Sequence, residues 1–237
     1  MKKFYQVEWL DIDFKEFETL SSELPTKSFY DKFYARFFEK YHSFDDLDES
    51  WVAYKTQIAK RINAIVKSET NILSIGSGTG IVENALTNLN SSLRIMSIEP
   101  SEDASRWVRA NPKISIVNGY FPECMDKGVS FEFAYANNID YVFDDDEYKA
   151  FLKSVVDYGV SEFLIITSAN YNLKVALSLF IKEILGALGI IAKLADGQFW
   201  GYLRSKNEHR EALKHAGFRE IEFNKLVCQN YLVRTSL

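Results

Sequence analysis

The sequence predicts an α/β fold: a seven-stranded, mostly parallel sheet with one antiparallel strand, helices on both faces, and a helical cap. Three observations carry this reading. Residues 71–80, Asn-Ile-Leu-Ser-Ile-Gly-Ser-Gly-Thr-Gly, run a short apolar strand into glycines at alternate positions, and a helix-compatible stretch (81–89) follows at once. Further strand-like and helix-like segments alternate downstream, a pattern that requires a parallel sheet covered on both faces. The last two strand-like segments are joined by too few residues for a crossover, so they form an antiparallel hairpin.

The elements follow in order. Strands are expected near 71–75, 93–98, 114–118, 131–136, 161–167, 219–224 and 226–233, with helices near 81–89, 102–110 and 145–157 and a short turn around 121–128. Asp144 followed by Glu147, and Ser205 followed by Glu208, have the spacing of a capping box, and Gly217 suits a helix terminus. The acidic run 144–147 is therefore read as a helix start rather than a metal site, and no metal is expected. Residues 1–70 read as a helical cap rich in aromatics, with Phe29, Tyr30, Phe33, Tyr34, Phe37, Phe38 and Tyr41 at helix-like spacing. Residues 71–237 form the core domain, interrupted at about 169–204 by a second cap segment. Its apolar stripe is Leu173, Ala176, Leu177, Phe180 and Ile184, followed by Phe199-Trp200-Gly201-Tyr202. Both stripes are expected to pack mostly into the core, with a few side chains facing a ligand.

Composition narrows the function. The 237 residues are 47% hydrophobic and 26% charged, ordinary for a globular protein, and long enough for one α/β domain with additions. A net charge of −5 argues against a general nucleic-acid binder, which is usually basic. Cys124 and Cys228 lack metal-ligand spacing, and such sparse usage suits a reducing cytoplasm. The N-terminus has no signal-peptide apolar core. The most apolar stretch, 175–195, holds Lys182, Glu183 and Lys193, so no membrane span is expected.

The glycine strand-turn-helix describes a ligand cradle, because a missing Cβ permits positive φ and lets a ligand lie against bare backbone. Glu99 closes the next strand about 20 residues beyond Gly80, where a carboxylate accepts hydrogen bonds from ribose hydroxyls. Together they indicate a nucleoside-containing cofactor. The dinucleotide pattern G-x-G-x-x-G fails in both registers, at Ile81 and at Glu83, and no phosphate-loop Lys follows.

The spacing G-x-G-x-G instead resembles class I S-adenosylmethionine-dependent methyltransferases of the small-molecule type, whose sheet is Rossmann-like. Other segments are similar too: Ser-Ile-Glu-Pro-Ser (97–101) to the second-strand acidic motif, Val-Asn-Gly-Tyr-Phe-Pro-Glu (117–123) to the adenine-contacting segment, Phe-Glu-Phe-Ala-Tyr-Ala-Asn-Asn (131–138) to the fourth strand, and 211–221 to the late helix and strand. The resemblance implies S-adenosyl-L-methionine as cofactor, held by Ser74, Gly76, Ser77, Gly78, Gly80, Glu99, Pro100, Asn118, Gly119, Tyr120 and Asn137. The backbone of 76–80 would take the cofactor's carboxylate, Asn118 and Tyr120 would frame adenine, and Asn137 would approach the methionyl group. Ser74 departs from the pattern, standing where the family usually has an acid.

The implied reaction is methyl transfer to an oxygen or nitrogen of a small-molecule acceptor, for example a sugar or secondary metabolite. A non-catalytic S-adenosylmethionine- or nucleoside-binding module is the alternative, favoured by Ser74, and a nicotinamide-dependent oxidoreductase is opposed by the failed glycine register. For a catalytic base, His42, Asp140, Tyr141, Tyr30, Tyr34 and Tyr171 are candidates by location alone. His209 and His215 lie on the late helix and are expected at its surface.

Overall fold

A computed structural model describes residues 1–66, 71–126, 128–168, 170–190, 193–226 and 230–237. The expected strand ending at residue 233 begins at 226 and crosses undescribed residues, and Cys228 lies outside the described ones. Strands β1 (Lys2–Gln6), β2 (Glu8–Trp9) and β3 (Ile12–Asp13) come first, followed by helices α1 (Lys27–Lys40) and α2 (Glu49–Ile65). The core then runs β4 (Asn71–Ile75), α3 (Ile81–Leu89), β5 (Arg94–Ile98), β6 (Ile114–Val117), β7 (Phe133–Asn137), α4 (Asp145–Asp157) and β8 (Glu162–Ile166). It closes with α5 (Leu173–Ala187), β9 (Gln198–Leu203), α6 (Lys206–Ala216), β10 (Glu220–Lys225) and β11 (Tyr231–Ser236).

Seven strands form one sheet in the order β10-β11-β8-β7-β4-β5-β6. Every pair from β8 to β6 is parallel, and β11 runs antiparallel to both β8 and β10. Alternation along the strands feeds two cores. Ile72, Ile95, Phe133 and Tyr135 face α1, α2 and α3, while Leu73, Ile75, Ala134 and Ala136 face α4 and α6. Chain order reverses between β4 and β7, the place where open α/β sheets hold ligands at the carboxyl ends of their strands.

The expected capping boxes form at Asp144/Glu147 and Ser205/Glu208, and Gly217 ends α6 in the left-handed region at φ 113°. Four expectations need correction. The first 26 residues hold no α-helix, only a 3-10 turn at Phe14–Glu16: β1 pairs antiparallel with β9, and β2 with β3. The β-favouring aromatics Phe4 and Tyr5 meet Gly201 and Phe199 across that pair, so tertiary pairing decides the conformation. Segment 102–110 is not an α-helix but a run of turns with a 3-10 helix at Arg106–Val108. Its Ser and Asp residues favour local bonds, and Val108 must reach Gly80 while Trp107 packs on Phe37 and Phe38. The α5 stripe faces solvent, with Leu173 86% and Phe180 58% exposed, because none of the described residues covers it. His209 is buried rather than on the surface.

Candidate functional site

The glycine segment leaves β4 and turns sharply, with φ of 74°, 57° and 74° at Gly76, Gly78 and Gly80. Close packing explains the first of these: a Cβ on Gly76 would stand 2.3 Å from Ile139 Cγ2. The three glycine N–H groups are already used. Gly76 donates to the Ile98 carbonyl (2.9 Å), Gly78 to Glu99 Oε2 (2.9 Å) and Gly80 to the Ser77 carbonyl (3.1 Å). Glu99, at the tip of β5, also accepts from the Ser101 N–H (3.1 Å). Burial pushes its carboxyl up to about 7, opposed by these two N–H donors.

A cavity of about 480 Å³ opens over these strand ends. One part is lined by Gly76, Ser77, Gly78, Glu99, Pro100, Gly119, Tyr120 and Phe121. The other is walled by aromatics from the added segments: Phe4, Trp9, Tyr30 and Trp200, with Tyr141 of the core. Tyr141 stacks on Trp200 at 5.9 Å between centroids, and its hydroxyl lies 3.1 Å from that of Tyr30. Burial raises both phenols, Tyr141 to about 12, so they stay neutral donors and acceptors.

Asn137 and Asn138 leave β7 beside this cavity and meet Lys55 of α2. The Lys55 ammonium donates to Asn138 Oδ1 (3.0 Å) and sits 3.4 Å from Asn137 Oδ1. Burial lowers its pKa to about 8, with the charge of Glu83 opposing the shift. The sequence reading missed Lys55, although a signal was there. It occupies the stripe of Ile58, Ala59 and Ile62, a cation on the buried face of a helix.

Ser74, Gly80 and Asn118 are not among the cavity-lining residues. Asn118 donates from Nδ2 to the Glu99 carbonyl (3.1 Å) and so fixes the backbone that carries the acid. Ser74 is fully buried and donates to Glu83 Oε1 (2.6 Å), which also accepts from the Tyr135 hydroxyl (2.6 Å). Glu83, on the first turn of α3, is thus the acid at this depth, and its pKa is raised chiefly by burial. An acid at position 74 would set two carboxylates side by side, whereas serine supplies the donor that Glu83 needs.

Of the candidate bases, Tyr30, Tyr34 and Tyr141 line the cavity, while His42, Asp140 and Tyr171 do not. His42 is exposed. Asp140 is buried and turned to Ser168, accepting from its N–H (2.7 Å) and hydroxyl (2.6 Å), and burial raises its carboxyl to about 6. His209 bonds the Tyr148 hydroxyl (3.0 Å), and burial drives its pKa down to about 3. Nearby, the buried Arg204 guanidinium donates to the carbonyls of Asp140 (2.6 Å), Phe143 (2.6 Å) and Asp144 (2.8 Å), bracing the chain after β7. Among the described residues no cluster of His, Cys, Asp and Glu could hold a metal, and no helix is long and apolar enough to cross a membrane.

No protein-family model matches this sequence, and no curated protein matches it. Solved structures do resemble it in shape. Human N-acetylserotonin methyltransferase, in complex with SAM, aligns over 89% of this chain and 56% of its own at TM-score 0.60 and 13% identity. The mitomycin 7-O-methyltransferase MmcR aligns over 77% and 54% at TM-score 0.57 and 19% identity. The S-adenosylmethionine-dependent methyltransferase SibL, in its apo form, aligns over 94% and 64% at TM-score 0.62 and 13% identity. The chain therefore spans between about half and two thirds of each of these proteins, and its fold is that of S-adenosylmethionine-dependent methyltransferases.

Proposed function

We propose that this protein transfers a methyl group from S-adenosyl-L-methionine to an oxygen or nitrogen of a small molecule, such as a sugar or secondary metabolite. The observation that carries the proposal is the buried Glu99 carboxylate beside the Gly76–Gly80 turn at the topological switch point, opening on one cavity. These residues fit an adenosyl amino acid. Glu99 keeps lone pairs for ribose hydroxyls beyond those spent on Gly78 and Ser101. The Gly119–Phe121 segment offers an edge and two rings for adenine, and Asn137 sits at the methionyl end.

When bound, the cofactor supplies a methyl group already activated as a sulfonium, so the protein has mainly to position the partners and exclude water. Residues 1–70 and 169–204 serve as the covering segments, a division supported by Phe4, Trp9 and Tyr30 from the first and Trp200 from the second. The paired Tyr30 and Tyr141 hydroxyls orient a polar group of the acceptor. With both phenols raised they act by hydrogen bonding, not as anions. An amine acceptor that is neutral on binding needs no more than this.

Calorimetric titration with S-adenosylmethionine, S-adenosylhomocysteine and NAD tests the reading. Binding of the first two, with methyl incorporation from a panel of phenols, amines and sugars, is expected. Binding of NAD alone would reject it. Binding of the methyl donor without turnover on any acceptor would favour a non-catalytic binding module, a reading that the raised phenols and the outward His42 also suit.

A further inference from the structure

Lys55 is a cation on the wall of the cavity, 8% exposed, and among the described residues it forms no ion pair. Trp51 and Tyr54 stand with their rings 5.5 and 5.6 Å from its nitrogen. Two of its donors point to the amide oxygens of Asn137 and Asn138, which leaves a third for a ligand. Glu83 acts on it only through space: its Oε1 accepts from Ser74 and Tyr135, while its buried Oε2 has no hydrogen-bond partner among the described residues. Burying an ammonium with no carboxylate in contact is expensive, Glu83 offsetting the cost only through space, and an anion entering the cavity would relieve it. The glycine N–H groups, which would otherwise take an anion, are spent within the fold.

We propose that Lys55 is the anchor for a carboxylate of the molecule held in this cavity. The inference rests on the methyltransferase reading for the identity of that carboxylate: the amino-acid end of the cofactor. Lys55 meets Asn137 and Asn138, and the next residue, Ile139, packs on Gly76, so the ammonium lies toward the methionyl end of the proposed site. A carboxylate on the acceptor is the other source with the same chemistry. In either case the ammonium acts by positioning, through a charge-assisted hydrogen bond that neutral groups cannot replace.

The test uses wild type, Lys55→Met and Lys55→Arg in calorimetric titrations at pH 7. The ligands are S-adenosylhomocysteine and 5′-methylthioadenosine, which keeps the adenosine and lacks the carboxylate. Lys55→Met should weaken S-adenosylhomocysteine about 10- to 100-fold and change 5′-methylthioadenosine less than about 2-fold, with partial recovery in Lys55→Arg. If both adenosyl ligands are unaffected, the protein saturated with S-adenosylhomocysteine is titrated with 4-hydroxybenzoate and its neutral amide. Selective loss of the acid in Lys55→Met then assigns the anchor to the acceptor.

Equal weakening of S-adenosylhomocysteine and 5′-methylthioadenosine overturns the proposal, since Lys55 would then only shape the cavity. So does the absence of a selective effect in both arms. If wild type binds neither adenosyl ligand, the methyltransferase reading fails separately, and the benzoate and amide pair on the free protein still decides for or against the anchor. Should Lys55→Met not fold, as judged by circular dichroism, Lys55→Gln takes its place.

Discussion

Glu99 gives the sharpest handle on the cofactor reading because burial brings its carboxyl up to about 7, inside the working pH range. Gly78 and Ser101 donate to it, the charges of Glu83 and Asp31 raise it further, and the phenols of Tyr30, Tyr34 and Tyr141 stand near enough to feel it. Ribose hydroxyls donating to the carboxylate favour its charged form, so binding must expel the proton that Glu99 carries below pH 7. Affinity for S-adenosylhomocysteine should therefore fall about tenfold between the plateau and pH 6. Lys55 sets the opposite limb. Its pKa of about 8 in the free protein means that a bound carboxylate must recruit a proton at higher pH, and affinity should fall again, about tenfold by pH 9.

The result is a bell with its maximum between the two values. Glu99→Gln should remove the acid limb and weaken binding at the maximum by about 1.5–3 kcal/mol, the range for a bond to a charged group, or about 10- to 150-fold. Lys55→Met should remove the alkaline limb. Calorimetry in buffers of different ionisation enthalpy reads the proton directly: nearly one released at pH 6, and close to none net at pH 7.5, where release from Glu99 and uptake by Lys55 cancel. Affinity that does not change from pH 6 to 7.5, with no proton released, would refute the ribose role of Glu99.

The same shift has a consequence for the free protein. A carboxyl raised on folding contributes stability that is full below its unfolded value, near 4.5, and lost as pH climbs through about 7; Asp140, raised to about 6, acts in the same sense. His209, lowered to about 3, acts in the opposite sense as pH climbs toward its unfolded value near 6.5, so the melting temperature without ligand should fall only modestly from pH 5 to 7.5. Glu99→Gln should remove most of that fall, and an unchanged profile in this variant would contradict the Glu99 assignment. Ser74→Asp should destabilise by about 1–3 kcal/mol near neutral pH, by removing a donor from Glu83 and adding a like charge, whereas Ser74→Thr should not; urea unfolding compares them. Arg204→Met should cost about 2–3 kcal/mol, since one buried and two half-buried carbonyls lose their donor, and a change below about 1 kcal/mol would deny the brace its role. Gly201→Ala should destabilise by about 2 kcal/mol or more, because its backbone sits at φ 147° and the new Cβ would lie 2.2 Å from the Tyr141 carbonyl oxygen.

The core strands were legible because their signals are local. Strands such as 71–75, helices 81–89 and 145–157, and the capping boxes depend on periodicity and on residues three or four apart in the chain. The region 1–26 was not legible, because β1 exists through its pairing with β9, nearly two hundred residues away. For the same reason periodicity showed an apolar stripe within 169–204 but could not say whether anything covers it.

At the site, the sequence by itself determined the glycine turn, the acid at the end of the second core strand and the order of the segments around them. Each follows from chain geometry over a few residues. Tertiary structure alone decided how those groups are engaged. It turned the glycine N–H groups inward, paired Ser74 with Glu83 across β4 and α3, buried His209 against Tyr148, and brought Lys55 from a distant helix to the end of β7. Burial and approach between remote residues set charge state and hydrogen bonding, and neither is encoded in local spacing.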